Sequence, residues 1–507
     1  MKFAEMVQYK TTDYLSTIPK TKRKSLGQFF TPFSIANYMG NMAQFQGESV
    51  RILDPGAGSG ILTASVIDGL IERGVRQFEI DIYENDDTVI PVLEDNMLII
   101  QEEMANLDIG LEYRIIKENF IAENHFAWTG LLPSEKYDIV ICNPPYKKIG
   151  KDSLEAVAMR DIVYGQPNLY FLFMAMGAKL LKEGGEFIYI VPRSFSSGLY
   201  FSAFRKWFLQ EVRITNLHLF SSREAVGGSQ DSVLQETVII RAVKTTAHQA
   251  RIEISESINE YCADVINRNF VDYNICVKDD VNSFLYFPTS RQDASTLDFI
   301  NSWTSSLPEL GFRMKTGQLV DFREREWLCH APDMDTIPLL WPFNFNGSKI
   351  RFPVQVSGKP QYLKDHPSTK RLQMDKGSYL LLKRFTAKEE KRRLQCALLF
   401  ENDFSGFDSF STENHLNYIS KASGVMTMEE QYGLFVLFSS SYLDRYFRIL
   451  NGSTQVNATE INAMPFPQIE SIRSMGARAM RHRNLDEPTC DSIIEDQFMR
   501  RQRSMAI

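Results

Sequence analysis

The first half of the chain alternates short apolar runs with longer segments in which apolar residues recur at helical spacing. Seven runs have the length and β-branched content typical of strands, and they lie at residues 50–53, 78–83, 113–116, 137–142, 187–191, 214–220 and 237–242. The run at 169–181 is too short to cross a bilayer, which needs about 20 residues, and predicts a buried helix. The pattern predicts an α/β fold, with helices on both faces of a mainly parallel sheet.

After about residue 246 this alternation is lost, and aromatic and basic residues follow one another at irregular spacing. At about 100–200 residues per domain, the chain has room for two or three domains. We therefore expect an α/β domain over residues 1–249, a mixed α+β domain over residues 250–470, and a basic tail over residues 471–507.

The formal net charge is −7, which argues mildly against a nucleic-acid partner because phosphate contacts need Lys and Arg. The distribution of charge points the other way, since residues 341–400 hold thirteen basic and only four acidic side chains. A second basic cluster spans residues 20–24. Either cluster could equally be a solvated face of the protein.

The cysteines and the N-terminal sequence indicate the cellular compartment in which we expect the protein. The six cysteines form no Cys-x-x-Cys pair, so neither a zinc site nor a disulfide framework is indicated. The N-terminus lacks the apolar core of a secretory signal. We expect a protein of the reducing cytoplasm without a bound metal.

A glycine-rich loop at residues 54–60, Asp-Pro-Gly-Ala-Gly-Ser-Gly, follows the first predicted strand and opens a helix. Such loops bind nucleotides in doubly wound sheets, but dehydrogenases use similar ones for pyrophosphate. Asp54 would repel a pyrophosphate and could attract the α-ammonium group of an amino acid. Glu84, at the end of the second strand, could bind both ribose hydroxyls. The pattern favours a cofactor with amino-acid and nucleoside parts over a purely structural turn.

The tetrapeptide Asn143-Pro144-Pro145-Tyr146 directly follows the fourth predicted strand, at the same edge of the sheet as the glycine-rich loop. An exocyclic amine on a base is a poor nucleophile because its lone pair is delocalised into the ring. The Asn143 side-chain oxygen and the Pro144 carbonyl are acceptors that could localise that lone pair, and the prolines hold the backbone rigid. Tyr146 offers a flat face on which a flipped-out base can stack. Since no covalent intermediate is needed, Cys142 is predicted to be a buried strand residue.

At these residues the chain resembles the γ-type amino-methyltransferases, the TaqI-like adenine-N6 enzymes of restriction–modification systems, over residues 24–244. The resemblance implies a Rossmann-like class I methyltransferase fold and S-adenosyl-L-methionine as cofactor. Residues 26–32 resemble the family's N-terminal cofactor motif. Cofactor-binding roles are implied for Thr31, Asp54, Gly56, Ala57, Glu84, Asn119, Phe120 and Asn143.

Two positions depart from the family pattern. Asn119 stands where the family usually has an Asp that contacts the cofactor adenine, although an amide can still pair with that edge of the base. A second aromatic residue usually packs on the flipped base, and our alignment places Ala242 there. Phe195 and Phe220 are the alternatives for this role.

The C-terminal half resembles target-recognition domains in the segment 451–456, Asn-Gly-Ser-Thr-Gln-Val, and in the segment 464–467, Met-Pro-Phe-Pro. This likeness implies double-stranded DNA as the substrate. Within the family, the chain is similar to the PstI/BsuBI-type modification methylases, which implies methylation of adenine in a palindromic CTGCAG site. The family further implies a monomer, with a cognate restriction endonuclease as a functional rather than a physical partner.

Two other functions stay open from the sequence. RNA and protein-glutamine N-methyltransferases also use Asn-Pro-Pro-Tyr, but a protein-glutamine enzyme would not need about 220 residues after its catalytic domain. A non-catalytic DNA-binding specificity protein with a degenerate methylase domain is the other, and the intact Asn143, Pro144 and Tyr146 argue against it.

Overall fold

A computed structural model describes residues 2–17, 30–132, 136–220, 236–258, 265–278, 282–404 and 406–504. It divides into two compact units, Met1–Arg291 and Gln292–Ile507. The basic cluster at residues 20–24 and the first four residues of the motif at 26–32 lie outside the described residues. No described helix is both long enough and apolar enough to span a membrane.

A nine-stranded sheet forms the centre of the first unit, in the order β3-β2-β1-β4-β5-β7-β6-β8-β9. Its strands are β1 Ser49–Pro55, β2 Gln77–Tyr83, β3 Gly110–Ile116, β4 Tyr137–Cys142, β5 Leu181–Pro192, β6 Val212–Phe220, β7 Thr237–Lys244, β8 Arg251–Ser257 and β9 Val265–Asp272. Strands β1 to β5 pair in parallel, while β7 is antiparallel to both β5 and β6. All seven predicted strands are present, and the predicted Rossmann-like α/β fold is confirmed.

Helices cover both faces of this sheet. They are α1 Phe3–Thr17, α2 Phe33–Asn41, α3 Ile61–Glu72, α4 Ile90–Asn106, α5 Phe120–Glu123, α6 His125–Thr129, α7 Leu154–Ala158, α8 Leu169–Leu180, α9 Ser202–Glu211 and α10 Tyr273–Cys276. Helices α1 to α4 pack on one face of the sheet, and α8 and α9 pack on the other. The predicted buried helix at 169–181 is α8, whose first turn is capped by the Asn168 side chain.

The sheet extends past residue 249, where we expected the first domain to end. Strand β8 pairs in parallel with β6 and buries Ile252 and Ile254, and β9 pairs with β8. The compact first unit consequently runs to Arg291. Strand β8 joins the first sheet through its pairing with β6, which lies more than 30 residues earlier in the chain, and β9 joins it through β8.

The second unit has a six-stranded sheet, β10-β20-β17-β18-β14-β13, and a five-stranded sheet, β11-β15-β12-β19-β16. The strands are β10 Phe312–Thr316, β11 Leu328–Cys329, β12 Thr336–Leu340, β13 Phe345–Asn346, β14 Lys349–Ile350, β15 Tyr362–Lys364, β16 Gln373–Asp375, β17 Tyr379–Lys383, β18 Cys396–Leu399, β19 Ser409–Thr412 and β20 Leu416–Lys421. The helices are α11 Arg291–Asn301, α12 Met428–Ser439, α13 Ser441–Leu450, α14 Ala458–Ala463, α15 Ile469–Ala479 and α16 Glu487–Ser504. The expected mixed α+β character is present.

The segment expected to form a basic tail is helical and packs into the second unit. Helix α15 crosses α12 so closely that a Cβ on Gly433 or Gly476 would overlap a backbone carbonyl of the other helix. Ile472 of α15 and Ile494 of α16 are fully buried. Residues 471–498 are therefore part of the second unit rather than a separate tail.

Candidate active site

A cavity of about 310 Å³ opens at the carboxyl edge of the first sheet, where the strand order reverses between β1 and β4. Ligands of doubly wound sheets bind at such reversal points because the loops diverge there. The predicted site residues that line the cavity are Thr31, Gly56, Ala57, Glu84, Asn119, Phe120, Asn143, Pro144, Pro145 and Tyr146. Asp54 is fully buried at the end of β1.

The glycine-rich loop is tied to the end of β2 by its own backbone. The N–H groups of Gly56 and Ala57 donate to the Tyr83 carbonyl at 2.7 and 3.0 Å. Gly56, Gly58 and Gly60 have φ values of 76°, 59° and 82°, which other residues adopt only with strain. The turn thus carries only small side chains where the cavity begins.

Only one oxygen of the Asp54 carboxylate has a hydrogen-bond partner among the described residues. Its Oδ2 accepts a hydrogen bond of 2.6 Å from the Thr63 hydroxyl, whereas Oδ1 has no hydrogen-bond partner within the described parts of the chain. Burial raises the pKa of Asp54 from its usual 3.8 to about 7, and the nearby Glu84 adds to this. A cationic group bound beside Oδ1 would complete the hydrogen bonding and favour the ionised form. The carboxylate of Asp54 therefore fits a ligand that carries an ammonium group.

Glu84 lies at the end of β2 with both carboxylate oxygens fixed. Oε2 accepts from Gly58 N at 2.9 Å, and Oε1 accepts from Asp86 N at 2.9 Å. Burial raises the pKa of Glu84, and these backbone hydrogen bonds oppose the shift. Each carboxylate oxygen has further acceptor capacity for a pair of hydroxyls. Its place in the cavity fits the predicted contact with a ribose.

The tetrapeptide after β4 holds the carboxamide of Asn143 from two sides. Asn143 Nδ2 donates to the Thr31 hydroxyl at 3.0 Å, and the Tyr146 hydroxyl lies 3.0 Å from both Asn143 Oδ1 and the Ile190 carbonyl. The Thr31 hydroxyl on one side, and on the other the single Tyr146 proton that Asn143 Oδ1 shares with the Ile190 carbonyl, hold the carboxamide in place. Burial raises the pKa of Tyr146, so its hydroxyl is neutral and acts as a donor. This arrangement fixes an acceptor oxygen in the cavity.

Cys142 is a structural residue of β4, as predicted. It is fully buried, and its Sγ donates to the Pro55 carbonyl at 2.8 Å. Burial raises the pKa of its thiol well above the usual value. A thiol held protonated in this way is not a nucleophile.

Asn119 caps helix α5, so its side-chain oxygen is already used as a hydrogen-bond acceptor. Its Oδ1 accepts from the N–H groups of Ile121 and Ala122 at 3.1 and 3.0 Å, and its Nδ2 donates to Glu155 Oε1 at 2.8 Å. Glu155 also lines the cavity, although the sequence patterns did not predict it. Its sequence position, in a short polar segment beyond the tetrapeptide, carries no motif that could have identified it.

Neither alternative for the second aromatic residue lines this cavity. Phe195 and Phe220 are 0% and 2% exposed in the core, and neither lines the cavity. Ala242 is likewise buried within β7. Aromatic rings that do reach the cavity belong to Phe30, Tyr83, Phe120, Tyr146 and Phe173. Of these, Phe120 and Phe173 pack against each other with centroids 5.1 Å apart.

The basic segment of the second unit is only partly available to a ligand. Arg393 is buried and donates to Asn451 Oδ1 and to the Ser453 carbonyl, while Arg392 pairs with Glu487. Asn451, from the segment resembling target-recognition domains, is itself buried and serves that internal network. The cations that are exposed are Lys349, Arg351, Lys359, Lys364, Lys370, Arg371 and Lys391.

Comparison with known proteins finds methyltransferases both by family model and by sequence identity. Residues 61–226 match the family model of the Eco57I restriction-modification methylase. The chain is 31% identical over 482 residues to Type II methyltransferase M.PstI of Providencia stuartii, covering 94% of each chain. It is 32% identical over 494 residues to Type II methyltransferase M.BsuBI of Bacillus subtilis, covering 95% of this chain and 96% of the relative.

The fold is also similar to a solved structure, that of the Type IIL restriction-modification enzyme MmeI in complex with DNA. The TM-score is 0.55 at 12% identity, over 98% of this chain and 72% of that one. The two full-length relatives, the cavity and the fixed tetrapeptide agree on one enzyme class. The chain belongs to the Type II DNA methyltransferases of restriction–modification systems, and its methyl donor is S-adenosyl-L-methionine.

Proposed function

We propose that this enzyme methylates N6 of a flipped-out adenine within a palindromic CTGCAG site, and so protects DNA from a cognate restriction endonuclease. The observation that carries the adenine assignment is the Asn143 carboxamide, whose oxygen is directed by hydrogen bonds to Thr31 and Tyr146. The site sequence follows from the resemblance to the PstI/BsuBI-type methylases.

The chemistry requires acceptors at the amine. A carboxamide oxygen can accept two hydrogen bonds, so in our proposal the Asn143 oxygen is one acceptor for the amine and the Pro144 carbonyl is the second. Hydrogen bonds from both N–H groups of the amine would draw the nitrogen toward a tetrahedral shape and localise its lone pair. Transfer of the methyl group then replaces one N–H proton, which is released.

The cofactor, when bound, supplies an electrophilic methyl group on a sulfonium. In our proposal Asp54 binds its α-ammonium group, Glu84 binds the ribose hydroxyls, and Phe120 packs against its adenine. Gly56 and Ala57 offer backbone without bulk, so the cofactor can approach closely. Alignment of the methyl group with the target nitrogen is then the main contribution to rate.

We assign recognition of the DNA sequence to the second unit. Its exposed lysines and arginines are suited to phosphate contacts, which would position the duplex, while polar side chains would read base edges in the major groove. We further propose that the enzyme acts as a monomer, since a half-methylated palindrome needs only one methylation event. The endonuclease would be a partner in function without binding to this chain.

The test uses tritiated S-adenosylmethionine with plasmid DNA, total RNA and cell-extract protein. We expect label in DNA alone, recovered after nuclease digestion as N6-methyladenine. Label in RNA or protein but not in DNA would contradict the assignment of substrate, and label in cytosine would contradict the assignment of adenine. A modified plasmid should resist an endonuclease that cleaves CTGCAG, and cleavage at full rate would exclude that site.

A further inference from the structure

Glu155 occupies an unexpected place in the cofactor cavity. It lies in α7, beyond the catalytic tetrapeptide, yet its carboxylate reaches Asn119 at the end of the segment after β3. We propose that Glu155, and not Asn119, accepts the hydrogen bond from the exocyclic amine of the cofactor's adenine. Asn119 is then a positioning residue, which orients the Glu155 carboxylate.

The hydrogen bonds that Asn119 already makes exclude it as the main acceptor for the exocyclic amine of the adenine. A carboxamide oxygen has two lone pairs, and those of Asn119 accept the N–H groups of Ile121 and Ala122. The amide nitrogen of Asn119 is a donor and cannot accept from an amine. One of its N–H groups is already used by Glu155.

Glu155 has the hydrogen-bond acceptor positions that Asn119 lacks. A carboxylate offers about four acceptor positions, and the Asn119 contact uses one of them on Oε1. Ser153 caps the first turn of α7 through the Ala156 N–H at 3.3 Å, which fixes the backbone that carries Glu155. The side chain is partly exposed and faces the cavity, so a ligand can reach it.

The order of strands places this carboxylate at the adenine end of the cavity. Asp54 lies at the end of β1 and Glu84 directly follows β2, so the proposed contacts place the amino-acid and ribose parts of the cofactor above those strands. The next strand outward is β3, on the side away from β4. A base attached to a ribose at Glu84 therefore extends toward the residues after β3, where Asn119 and Glu155 meet.

Glu118 is the natural control for this assignment. It lines the same cavity, directly precedes Asn119, and has the same charge as Glu155. Within the described part of the chain, Glu118 does not share the hydrogen bonds that Asn119 makes with Glu155, Ile121 and Ala122. The inference rests on S-adenosylmethionine as cofactor and on the proposed ribose contact of Glu84, and its test stays independent of which base or DNA site is methylated.

The experiment compares two unreactive product analogues by isothermal titration calorimetry on the full-length protein. S-adenosyl-L-homocysteine carries the 6-amino group, and S-inosyl-L-homocysteine carries a 6-oxo group instead. We expect the unchanged enzyme to bind the amino compound at least about 10-fold more tightly, as is typical for a hydrogen bond to a charged group. In Glu155→Gln, the oxygen that remains keeps the Asn119 contact, and the other oxygen is replaced by an NH₂ group, which would place donors opposite the 6-amino group of the ligand. The preference should fall to about 1 or invert toward the 6-oxo compound.

The controls separate this role from general damage to the site. Glu118→Gln should keep the preference of the unchanged enzyme within about twofold, and Glu155→Ala should abolish the preference without inverting it. Circular dichroism of each variant checks that the protein is folded, and the ratio of two affinities cancels any uniform loss of binding. A Glu155→Gln variant that keeps the original preference, or a Glu118→Gln variant that loses it, would overturn the proposal.

Discussion

Replacing Asp54 by Asn is expected to stabilise the cofactor-free enzyme and to weaken cofactor binding. Burial raises the pKa of Asp54 from 3.8 to about 7, and this difference corresponds to a penalty of about 4 kcal/mol for the ionised form in the folded protein. Asn is neutral and nearly the same size, and it can still accept from Thr63. Its amide N–H groups become buried donors, which offsets part of the gain. We expect the free energy of unfolding at pH 8 to rise by about 1–3 kcal/mol.

The pH dependence follows from the direction of the shift. The folded protein holds the Asp54 proton more tightly than the unfolded chain, so this group stabilises the fold most below about pH 4. That stabilisation is lost as the pH rises toward about 7 and stays lost above it. The Asn variant lacks this component. Its advantage over the unchanged enzyme should therefore grow between pH 4 and 7 and then remain constant.

Cofactor binding should respond in the opposite direction. An ammonium group beside Asp54 forms a charge-assisted hydrogen bond, which is worth about 1.5–3 kcal/mol, so the variant should bind S-adenosyl-L-homocysteine about 10- to 150-fold more weakly. Thermal unfolding from pH 5 to 8.5 and calorimetric titration measure the two effects.

Asp68→Asn is the matched control for Asp54→Asn. Asp68 is also a largely buried acid of raised pKa, but it accepts the N–H groups of Phe3 and Ala4 at the start of α1. Its replacement should leave the affinity for S-adenosyl-L-homocysteine unchanged. A lower stability of Asp54→Asn at pH 8, or an unchanged affinity in that variant, would refute the reasoning.

Four further predictions concern catalysis, stability and DNA binding. Asn143→Ala should lower the single-turnover rate of tritium transfer by at least about 10³-fold, since an oriented acceptor at the reacting nitrogen is lost, with cofactor affinity changed only a few-fold; full activity would contradict the catalytic assignment. Tyr146→Phe keeps the ring but not the hydroxyl contact with Asn143, so the same rate should fall about 10-fold, and less than in Tyr146→Ala. Gly476→Ala should lower the free energy of unfolding in urea by several kcal/mol, because its Cβ would overlap the Glu429 carbonyl and the gain in helix propensity is only about 1 kcal/mol; a more stable variant would contradict that packing. DNA affinity should fall steeply with salt in filter-binding assays, and a flat response would count against phosphate contacts by the second unit.

The sequence by itself determined the parallel core and three of the segments that line the cavity. Strands buried on both faces leave runs of apolar residues that are visible in the sequence, as in β4. The carboxyl ends of parallel strands share one edge of the sheet, so a glycine-rich loop after β1, an acid after β2 and the tetrapeptide after β4 had to meet. These inferences needed only local patterns and one general property of the fold.

Only the tertiary structure decided which residues and strands contact one another. The sequence cannot show that Arg393 is buried against Asn451, or that β8 joins the first sheet through β6, since these contacts connect distant parts of the chain. The same holds for the hydrogen bond between Asn119 and Glu155 and for the raised pKa of Asp54. Hydrogen-bond satisfaction and desolvation depend on all the groups around an atom, and the fold alone brings those groups together.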